Sequence, residues 1–181
     1  MRAISFILDI KKEVGDKPLV GVEIGVYRGE HAELMLQHLN IQRLYLIDPY
    51  VDNDSDFEGH MKSSVPAAKA IARKRLEQPE PYEQIIWIEK KSEDALREVC
   101  LALDFVYIDG NHSYKYVMRD MIYYGRMVKR GGWIGGHDYM MRRSPRVEVK
   151  QAVDDYVVLA MTKGHELHVG EGKFPDWWFR K

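Results

Sequence analysis

Near the start of the chain, an apolar strand runs directly into a glycine-containing turn and then into a helix. The strand ends at Glu23, glycines follow at Gly25 and Gly29, and helical periodicity begins at once. Glycines at such a turn let a ligand approach the backbone closely. A second apolar run ends at Asp48, and an acid at the tip of a second strand suits the hydroxyl groups of a ribose. Together the two segments predict a cradle for a nucleoside cofactor.

Strand and helix patterns alternate along the rest of the chain. Five apolar strands are separated by helical segments, and they cover residues 19–24, 43–47, 84–88, 104–108 and 133–136. Two short strands follow, around residues 166–169 and 177–180, and are predicted to form a hairpin. Such alternation is typical of a parallel sheet with helices on both faces. The sequence therefore predicts an α/β fold: a doubly wound, seven-stranded sheet, mostly parallel, with a C-terminal antiparallel hairpin.

The 181 residues suit a single domain, residues 1–181, in which one connection is unusually long. Residues 49–81 begin with acidic, loop-type residues and become helical around Ala67 to Leu76. A connection of this length between a strand and a helix is uncommon. We expect either a lid or substrate wall, or a plain surface excursion.

Three local boundaries are also predicted from the pattern. A short helix is expected from Glu93 to Leu101, and Gly131-Gly132 is expected to form the turn into the fifth strand. Ser144 and Pro145 suit the N-cap and first turn of the last helix. These predictions give the length of one short helix, the start of the fifth strand and the start of the last helix.

The overall charge and hydrophobicity exclude some partners. A formal net charge of -1 provides no global field for nucleic acid or for an anionic membrane. No apolar run is long enough to span a bilayer. The first residues lack the features of a signal peptide, so a cytoplasmic location is expected. The partner we expect is a small-molecule substrate.

Ionisable side chains lie at the end of every predicted parallel strand or directly after it. They occur at Glu23, Asp48, residues 89–93, residues 109–112 and residues 137–138. In an open α/β sheet, ligands bind beyond the carboxyl ends of the strands. Because a purely structural sheet has no reason to collect such groups along one edge, an active site is predicted there. The alternatives are turn chemistry for the aspartates and a backbone-bonded role for His112. Asp120, inside the following helix, is expected to bond to a neighbouring loop.

Two longer motifs give a resemblance to a known family. Residues 105–114 read Phe-Val-Tyr-Ile-Asp-Gly-Asn-His-Ser-Tyr, and residues 129–139 read Lys-Arg-Gly-Gly-Trp-Ile-Gly-Gly-His-Asp-Tyr. Together with Asp120 they resemble class I S-adenosylmethionine-dependent methyltransferases, closest to the small macrocin-type O-methyltransferase family. The resemblance covers residues 17–140 in order. It implies a Rossmann-like fold and methyl transfer from S-adenosylmethionine to a hydroxyl of a sugar or glycosylated metabolite.

The resemblance also implies which residues bind the cofactor. They are Glu23, Gly25, Tyr27, Gly29, Asp48, Ser92 and Glu93. By this resemblance, Gly25 and Gly29 would face the methionine part, and Glu23 would hold its amino group or the loop amides. Asp48 would take the ribose hydroxyls. Ser92 and Glu93 would border the adenine.

The same resemblance implies the reacting side of the site. The catalytic residues would be Asp109, His112, His137 and Asp138. The acceptor hydroxyl must lose a proton, which a nearby histidine or aspartate can take. In relatives, carboxylates at the ends of the fourth and fifth strands can bind a divalent metal, which lowers the pKa of the hydroxyl. Asp109 and Asp138 match these positions and His137 is a possible third ligand, so Mg²⁺ or Mn²⁺ is a possible cofactor.

Two other functions stay open. A nicotinamide-dependent oxidoreductase could use a similar sheet, although the G-x-G-x-x-G pattern that a pyrophosphate needs is absent. A non-catalytic nucleoside-binding protein would keep Glu23, Gly25 and Asp48, yet it would need no acids after the fourth and fifth strands. The chain lacks a large N-terminal cap domain, so a second copy in a homo-oligomer could complete the substrate pocket.

Overall fold

The computed structural model describes residues 4–51, 65–77, 84–99, 102–140, 147–160 and 166–181, and one seven-stranded sheet forms its centre. The strands are β1 (Leu19–Ile24), β2 (Ile41–Ile47), β3 (Ile85–Ile88), β4 (Leu103–Ile108), β5 (Val128–Gly136), β6 (His168–Val169) and β7 (Trp177–Arg180). The helices are α1 (Ser5–Val14), α2 (Glu30–His38), α3 (Val65–Arg75), α4 (Ser92–Ala95), α5 (Tyr114–Met127) and α6 (Val149–Ala160).

The strand order confirms the predicted fold class. The order is β3-β2-β1-β4-β5-β7-β6. Strands β1 to β5 pair in parallel, whereas β7 pairs antiparallel with both β5 and β6. Strands β2 and β3 lie on one side of β1, and β4 and β5 lie on its other side. The order in which strands are added to the sheet therefore reverses between β1 and β4. In doubly wound sheets, ligands bind at this switch point, beyond the carboxyl ends of the strands.

Two apolar layers cover the sheet, one on each face. On one face, α5 and α6 pack against side chains such as Val22, Val106 and Ile134. On the other face, α1, α2 and α3 pack against the alternate residues, which include Leu44 and Phe105. Because successive strand residues point to opposite faces, these apolar strands are buried from both sides. Both faces of the sheet are therefore covered, and ligands have access where the parallel strands end.

Two predicted boundaries were wrong, and one cannot be compared. The short helix after β3 covers only Ser92–Ala95 instead of residues 93–101. The glycine pair lies inside β5, which already starts at Val128; Gly131 keeps a positive φ of 79° there. The glycines allow this kink within a strand because they carry no Cβ. The predicted helix start at residues 144–145 lies outside the described residues.

Within the described residues, no helix is both long and apolar enough to cross a bilayer.

Candidate functional site

A cavity of about 460 Å³ opens at the carboxyl ends of the parallel strands. This volume lies in the range of cavities that hold a drug-sized or cofactor-sized ligand. Most of the predicted site residues line it: Gly25, Tyr27, Asp48, Ser92, Glu93, Asp109, His112, His137 and Asp138. Glu23 and Gly29 lie outside the lining, so the expectation that Glu23 and Gly29 face the cofactor was wrong; a Cβ at Gly29 would face Leu76 instead. The fold thus brings together groups that are up to 113 positions apart in the sequence, from Gly25 to Asp138.

The turn after β1 has a shape that only glycine allows at Gly25. Its φ is +86°, and a Cβ at this position would lie 2.2 Å from the carbonyl oxygen of Asp109. Gly29 also has a positive φ, +74°, and it precedes α2 as the N-cap residue. A Cβ at Gly29 would lie 2.9 Å from Leu76 in the segment that follows α3. The turn therefore lies tightly against β4 on one side and near α3 on the other.

The carboxylate of Asp48 fixes the conformation of this turn. Its Oδ2 accepts hydrogen bonds from the backbone N–H groups of Val26 and Tyr27, at 2.9 Å each. Its Oδ1 accepts one from the N–H of Tyr50 at 2.8 Å, and the Tyr50 hydroxyl donates to the Tyr27 carbonyl at 3.1 Å. Both tyrosines have left-handed backbones, with φ of 49° and 46°, which is unfavourable for a residue with a side chain. A carboxylate has about four acceptor positions, so roughly one remains for a ligand.

A second network forms below α4, at one end of the cavity. The Ser92 hydroxyl donates to Asp120 Oδ1 at 2.6 Å, and Arg119 Nη2 donates to Ser92 Oγ at 3.2 Å. The Tyr124 hydroxyl donates to the Ser92 carbonyl at 2.7 Å, and Arg119 also forms an ion pair with Glu93 at 2.7 Å. Burial raises the pKa of Asp120 to about 6, although its hydrogen bond with Ser92 and the nearby Arg119 charge act in the opposite direction. Asp120 was expected to bond to a neighbouring loop, but its partner Ser92 is the first residue of helix α4. The Arg119 and Tyr124 contacts were not expected.

At the other end of the cavity, two carboxylates and two imidazoles form a compact cluster. His112 Nε2 lies 3.5 Å from Asp109 Oδ1 and 3.2 Å from Asp138 Oδ2. His137 Nδ1 lies 3.8 Å from Asp109 Oδ1 and 3.4 Å from Asp138 Oδ1. Burial alone would lower the pKa of each histidine, but the two carboxylates outweigh it and raise both pKa values. The cluster can therefore take up a proton and hold it.

The hairpin of β6 and β7 supports this cluster from below. Asp138 has a left-handed backbone, with φ of 60°. Hydrogen bonds to the hairpin hold the residues before and after Asp138. The indole Nε1 of Trp177 donates to the His137 carbonyl at 3.2 Å. The N–H of Tyr139 donates to the Pro175 carbonyl at 3.1 Å. Trp177 is fully buried. The hairpin thus fixes the position from which the Asp138 carboxylate enters the cavity.

Glu23 is placed differently from the other predicted cofactor residues. It is fully buried, and its Oε1 lies 3.5 Å from Nδ1 of His31, the second residue of α2. The His31 ring stacks on Tyr107 with 3.6 Å between ring centroids, and the Tyr107 hydroxyl donates to Asp176 at 2.8 Å. The carboxylate of Glu23 therefore contacts α2 behind the glycine turn. Since α2 begins at this turn, the pair supports the turn from its rear.

Phe174 is a cavity residue that the sequence analysis missed. It lies in the connection between β6 and β7, is 41% exposed, and lines the same cavity as the cluster of acids and histidines. A single phenylalanine in a glycine-rich connection carries no sequence signal for a binding role. Only the folded hairpin places it there.

Comparisons with known proteins identify the family of this chain. The sequence profile of a protein family described as "Methyltransferase domain" matches residues 22–139. The uncharacterized protein R132 of Acanthamoeba polyphaga mimivirus is 30% identical over 133 residues, which is 71% of this chain and 56% of that protein. The chain thus spans little more than half the length of this relative.

Two solved structures share the fold at low sequence identity. An rRNA methylase from Streptococcus thermophilus matches with a TM-score of 0.69 and 16% identity, covering 100% of this chain and 97% of that one. An O-methyltransferase from Bacillus cereus, solved in complex with SAH (S-adenosylhomocysteine), matches with a TM-score of 0.66 and 14% identity, covering 97% and 79%. At such identities, the likeness concerns the fold.

Proposed function

Since the chain belongs to this methyltransferase domain family, we propose that it transfers a methyl group from S-adenosylmethionine to a hydroxyl group of a small molecule. One observation carries the proposal. The glycine turn with its carboxylate support and the cluster of two aspartates and two histidines line one and the same cavity. A cofactor bound at the turn would therefore hold its reactive methyl group beside groups that can take a proton.

The glycine turn is the place for the methionine part and ribose of the cofactor. Gly25 lies in the cavity lining, and its lack of a Cβ lets the turn pack closely against the Asp109 carbonyl. Asp48 shapes the turn with three of its acceptor positions and could offer the remaining one to a ribose hydroxyl. The SAH bound in the Bacillus cereus O-methyltransferase, which shares this fold, supports the choice of S-adenosylmethionine.

The chain's own task in the reaction is to align the acceptor and remove its proton. The methyl group of a sulfonium is already electrophilic, so most of the catalytic effect comes from positioning. His112 is proposed to take the acceptor's proton. The carboxylates of Asp109 and Asp138, at 3.5 and 3.2 Å from its Nε2, make the imidazole a stronger base and stabilise the imidazolium that forms.

The same cluster also fits a divalent cation. Asp109, His137 and Asp138 each offer one ligand atom, and these atoms lie within 4.8 Å of one another. Carboxylates suit Mg²⁺ and Mn²⁺, whereas a single imidazole suits these ions less well than a third carboxylate would. When bound, the cation would lower the pKa of the acceptor hydroxyl. Calorimetric titration with Mn²⁺ tests this fit: we expect binding by the wild type and none by Asp138→Ala.

The long connection at residues 49–81 is proposed to form a wall of the substrate side. Its described parts contribute Tyr50, Val51, Val65 and Ala68 to the cavity lining. Apolar residues here would contact the body of an acceptor, while the polar cluster meets its hydroxyl. For the acceptor itself we propose a sugar or a glycosylated metabolite. That choice rests on the likeness of residues 105–139 to the macrocin-type O-methyltransferases.

Transfer of a labelled methyl group tests the proposed function. S-adenosylmethionine carrying the label is incubated with hydroxylated metabolites, and in parallel with rRNA. We expect label in the small-molecule fraction, a loss of turnover in Asp109→Ala and His112→Ala, and unchanged turnover in the exposed control Asp16→Ala. Label found only in RNA, or equal turnover in all variants, would contradict the proposal.

A further inference from the structure

Glu148 lies directly before helix α6 and contacts the loop between β4 and α5 (residues 109–113), which carries His112. Its backbone N–H donates to the His112 carbonyl at 2.8 Å. Its carboxylate Oε2 accepts a hydrogen bond from the N–H of Tyr114 at 3.0 Å. These two hydrogen bonds hold the peptide groups on either side of Ser113, so Glu148 clamps the chain directly after the His112 imidazole.

Glu148 joins the starts of two helices. Its carbonyl accepts a hydrogen bond from the N–H of Ala152 at 3.0 Å, which makes it the N-cap residue of α6. Tyr114 is the first residue of α5, and the side chain of its N-cap residue, Ser113, makes no capping hydrogen bond. Because the first N–H groups of a helix lack partners within the helix, and its N-terminus is partly positive, a carboxylate is favoured there. Glu148 therefore caps α5 from a neighbouring helix.

The other end of the same loop is held by β1. The N–H of Asp109, the first loop residue, donates to the Ile24 carbonyl at 2.8 Å. Asp109 therefore has its own anchor on the sheet. The position of His112, three residues later, is set by the far end of the loop, and Glu148 holds that end.

Helix α6 also contacts the residue next to Asp138. The Tyr139 hydroxyl donates to Asp154 Oδ1 at 2.6 Å, and Lys150 Nζ donates to the Tyr139 hydroxyl at 3.2 Å. One helix thus contacts both chain segments whose side chains meet at 3.2 Å, between His112 Nε2 and Asp138 Oδ2. Because a misplacement of about 1 Å in an active site can lower the rate about 100-fold, the spacing of these segments matters for the reaction.

We propose that Glu148 is a positioning residue for the reaction, which holds the loop so that the His112 imidazole stays between Asp109 and Asp138. The inference rests on the proposed function, because it takes His112 to be the base that removes the acceptor's proton. Glu148 itself lies outside the cavity lining and acts through the backbone of the loop. Its removal should therefore slow methyl transfer without weakening the binding of the cofactor at the glycine turn.

Steady-state kinetics and calorimetry on Glu148→Ala test this role. We expect kcat to fall about 10- to 100-fold, the range for one hydrogen bond to a charged group. The KM for S-adenosylmethionine and the Kd for S-adenosylhomocysteine should stay within about twofold of the wild type, because the cofactor makes no contact that depends on this hydrogen bond. An equal loss of S-adenosylhomocysteine binding would mean that Glu148 only stabilises the fold, and it would overturn the inference.

The variant Glu148→Gln tests whether the hydrogen bond is responsible. A glutamine side chain can still accept the N–H of Tyr114 through its carbonyl oxygen, so kcat should recover to within about threefold of the wild type. The matched control is Gln151→Ala, an exposed residue in the first turn of α6, which should keep the wild-type kcat. A fall in kcat that is as large in Glu148→Gln as in Glu148→Ala would contradict the inference.

NMR of the histidine rings separates this inference from the proposed function, because it needs no acceptor. The ring signal of His112, assigned by its absence in His112→Ala, should shift in Glu148→Ala and stay in place in Glu148→Gln. If the wild type transfers methyl groups but the signal is unchanged in Glu148→Ala, the inference is wrong and the proposed function stands. If the wild type transfers no methyl group, the proposed function fails and the inference with it.

Discussion

The ionisation of Asp120 should make the stability of the protein fall as the pH rises. Burial raises its pKa from 3.8 to about 6, which means that folding favours the protonated carboxyl. The contribution to stability is therefore fully present below pH 3.8, and it is lost as the pH rises through about 6. At 1.36 kcal/mol per pH unit, a rise from 3.8 to about 6 corresponds to about 3 kcal/mol.

The variant Asp120→Asn isolates this effect because it cannot ionise. Its amide oxygen can still accept the hydrogen bond that Ser92 now donates to Oδ1. Near pH 4, wild type and variant should have similar free energies of unfolding. Above pH 7, the variant should be more stable by up to about 3 kcal/mol. The other carboxylates titrate equally in both proteins, so they cancel in the difference.

Urea unfolding of both proteins at several pH values from about 4 to about 8 measures this difference. The variant Ser92→Ala adds a check, because it removes a hydrogen bond that lowers the pKa of Asp120. Its pH-dependent loss of stability should move to higher pH. The reasoning would be refuted if the difference in free energy of unfolding between wild type and Asp120→Asn did not change with pH. It would also be refuted if this difference grew in favour of the wild type as the pH rises.

Three further substitutions test the geometry of the site. Gly25→Ala would place a Cβ 2.2 Å from the Asp109 carbonyl oxygen and should abolish the binding of S-adenosylhomocysteine in calorimetry. The control Gly15→Ala should retain binding, because Gly15 also has a positive φ, 61°, but its Cβ would have no atom within 4 Å. Asp48→Ala removes the acceptor of three backbone N–H groups and should weaken S-adenosylhomocysteine binding by at least about tenfold, about 1.4 kcal/mol. An affinity within twofold of the wild type would contradict the role of Asp48. Trp177→Phe keeps an aromatic ring but loses the indole N–H that donates to the His137 carbonyl at 3.2 Å. Because one neutral hydrogen bond is lost, kcat should fall about 3- to 10-fold while the KM for S-adenosylmethionine stays unchanged. A change in KM alone would argue against this role of Trp177.

The architecture could be predicted because it depends on local patterns. Apolar runs of strand length alternating with helical periodicity specify a doubly wound sheet, and the structure has that sheet in seven strands. Boundaries were harder to predict where glycine leaves several backbone paths open. At Gly131 the chain continues as a strand with a positive φ, although a glycine pair is as typical of a turn.

The collection of ionisable residues at one sheet edge could also be predicted, because parallel strands end on the same side. The direction of each side chain could not. Asp48 bonds to the turn of β1, a segment 21 to 22 positions earlier, and this contact depends on left-handed backbones at two tyrosines. Ser92 and Asp120 meet across 28 positions only because α5 packs beneath α4. Such contacts follow from packing in three dimensions and leave no periodic signal in the sequence.

The central claim is that one sheet edge binds a sulfonium nucleoside next to a group that accepts a proton. Calorimetry on the wild-type protein with S-adenosylhomocysteine and, separately, with NAD⁺ tests it most directly. We expect one molecule of S-adenosylhomocysteine to bind per chain and NAD⁺ to give no heat of binding. Tight binding of NAD⁺ without binding of S-adenosylhomocysteine would contradict the account and favour an oxidoreductase.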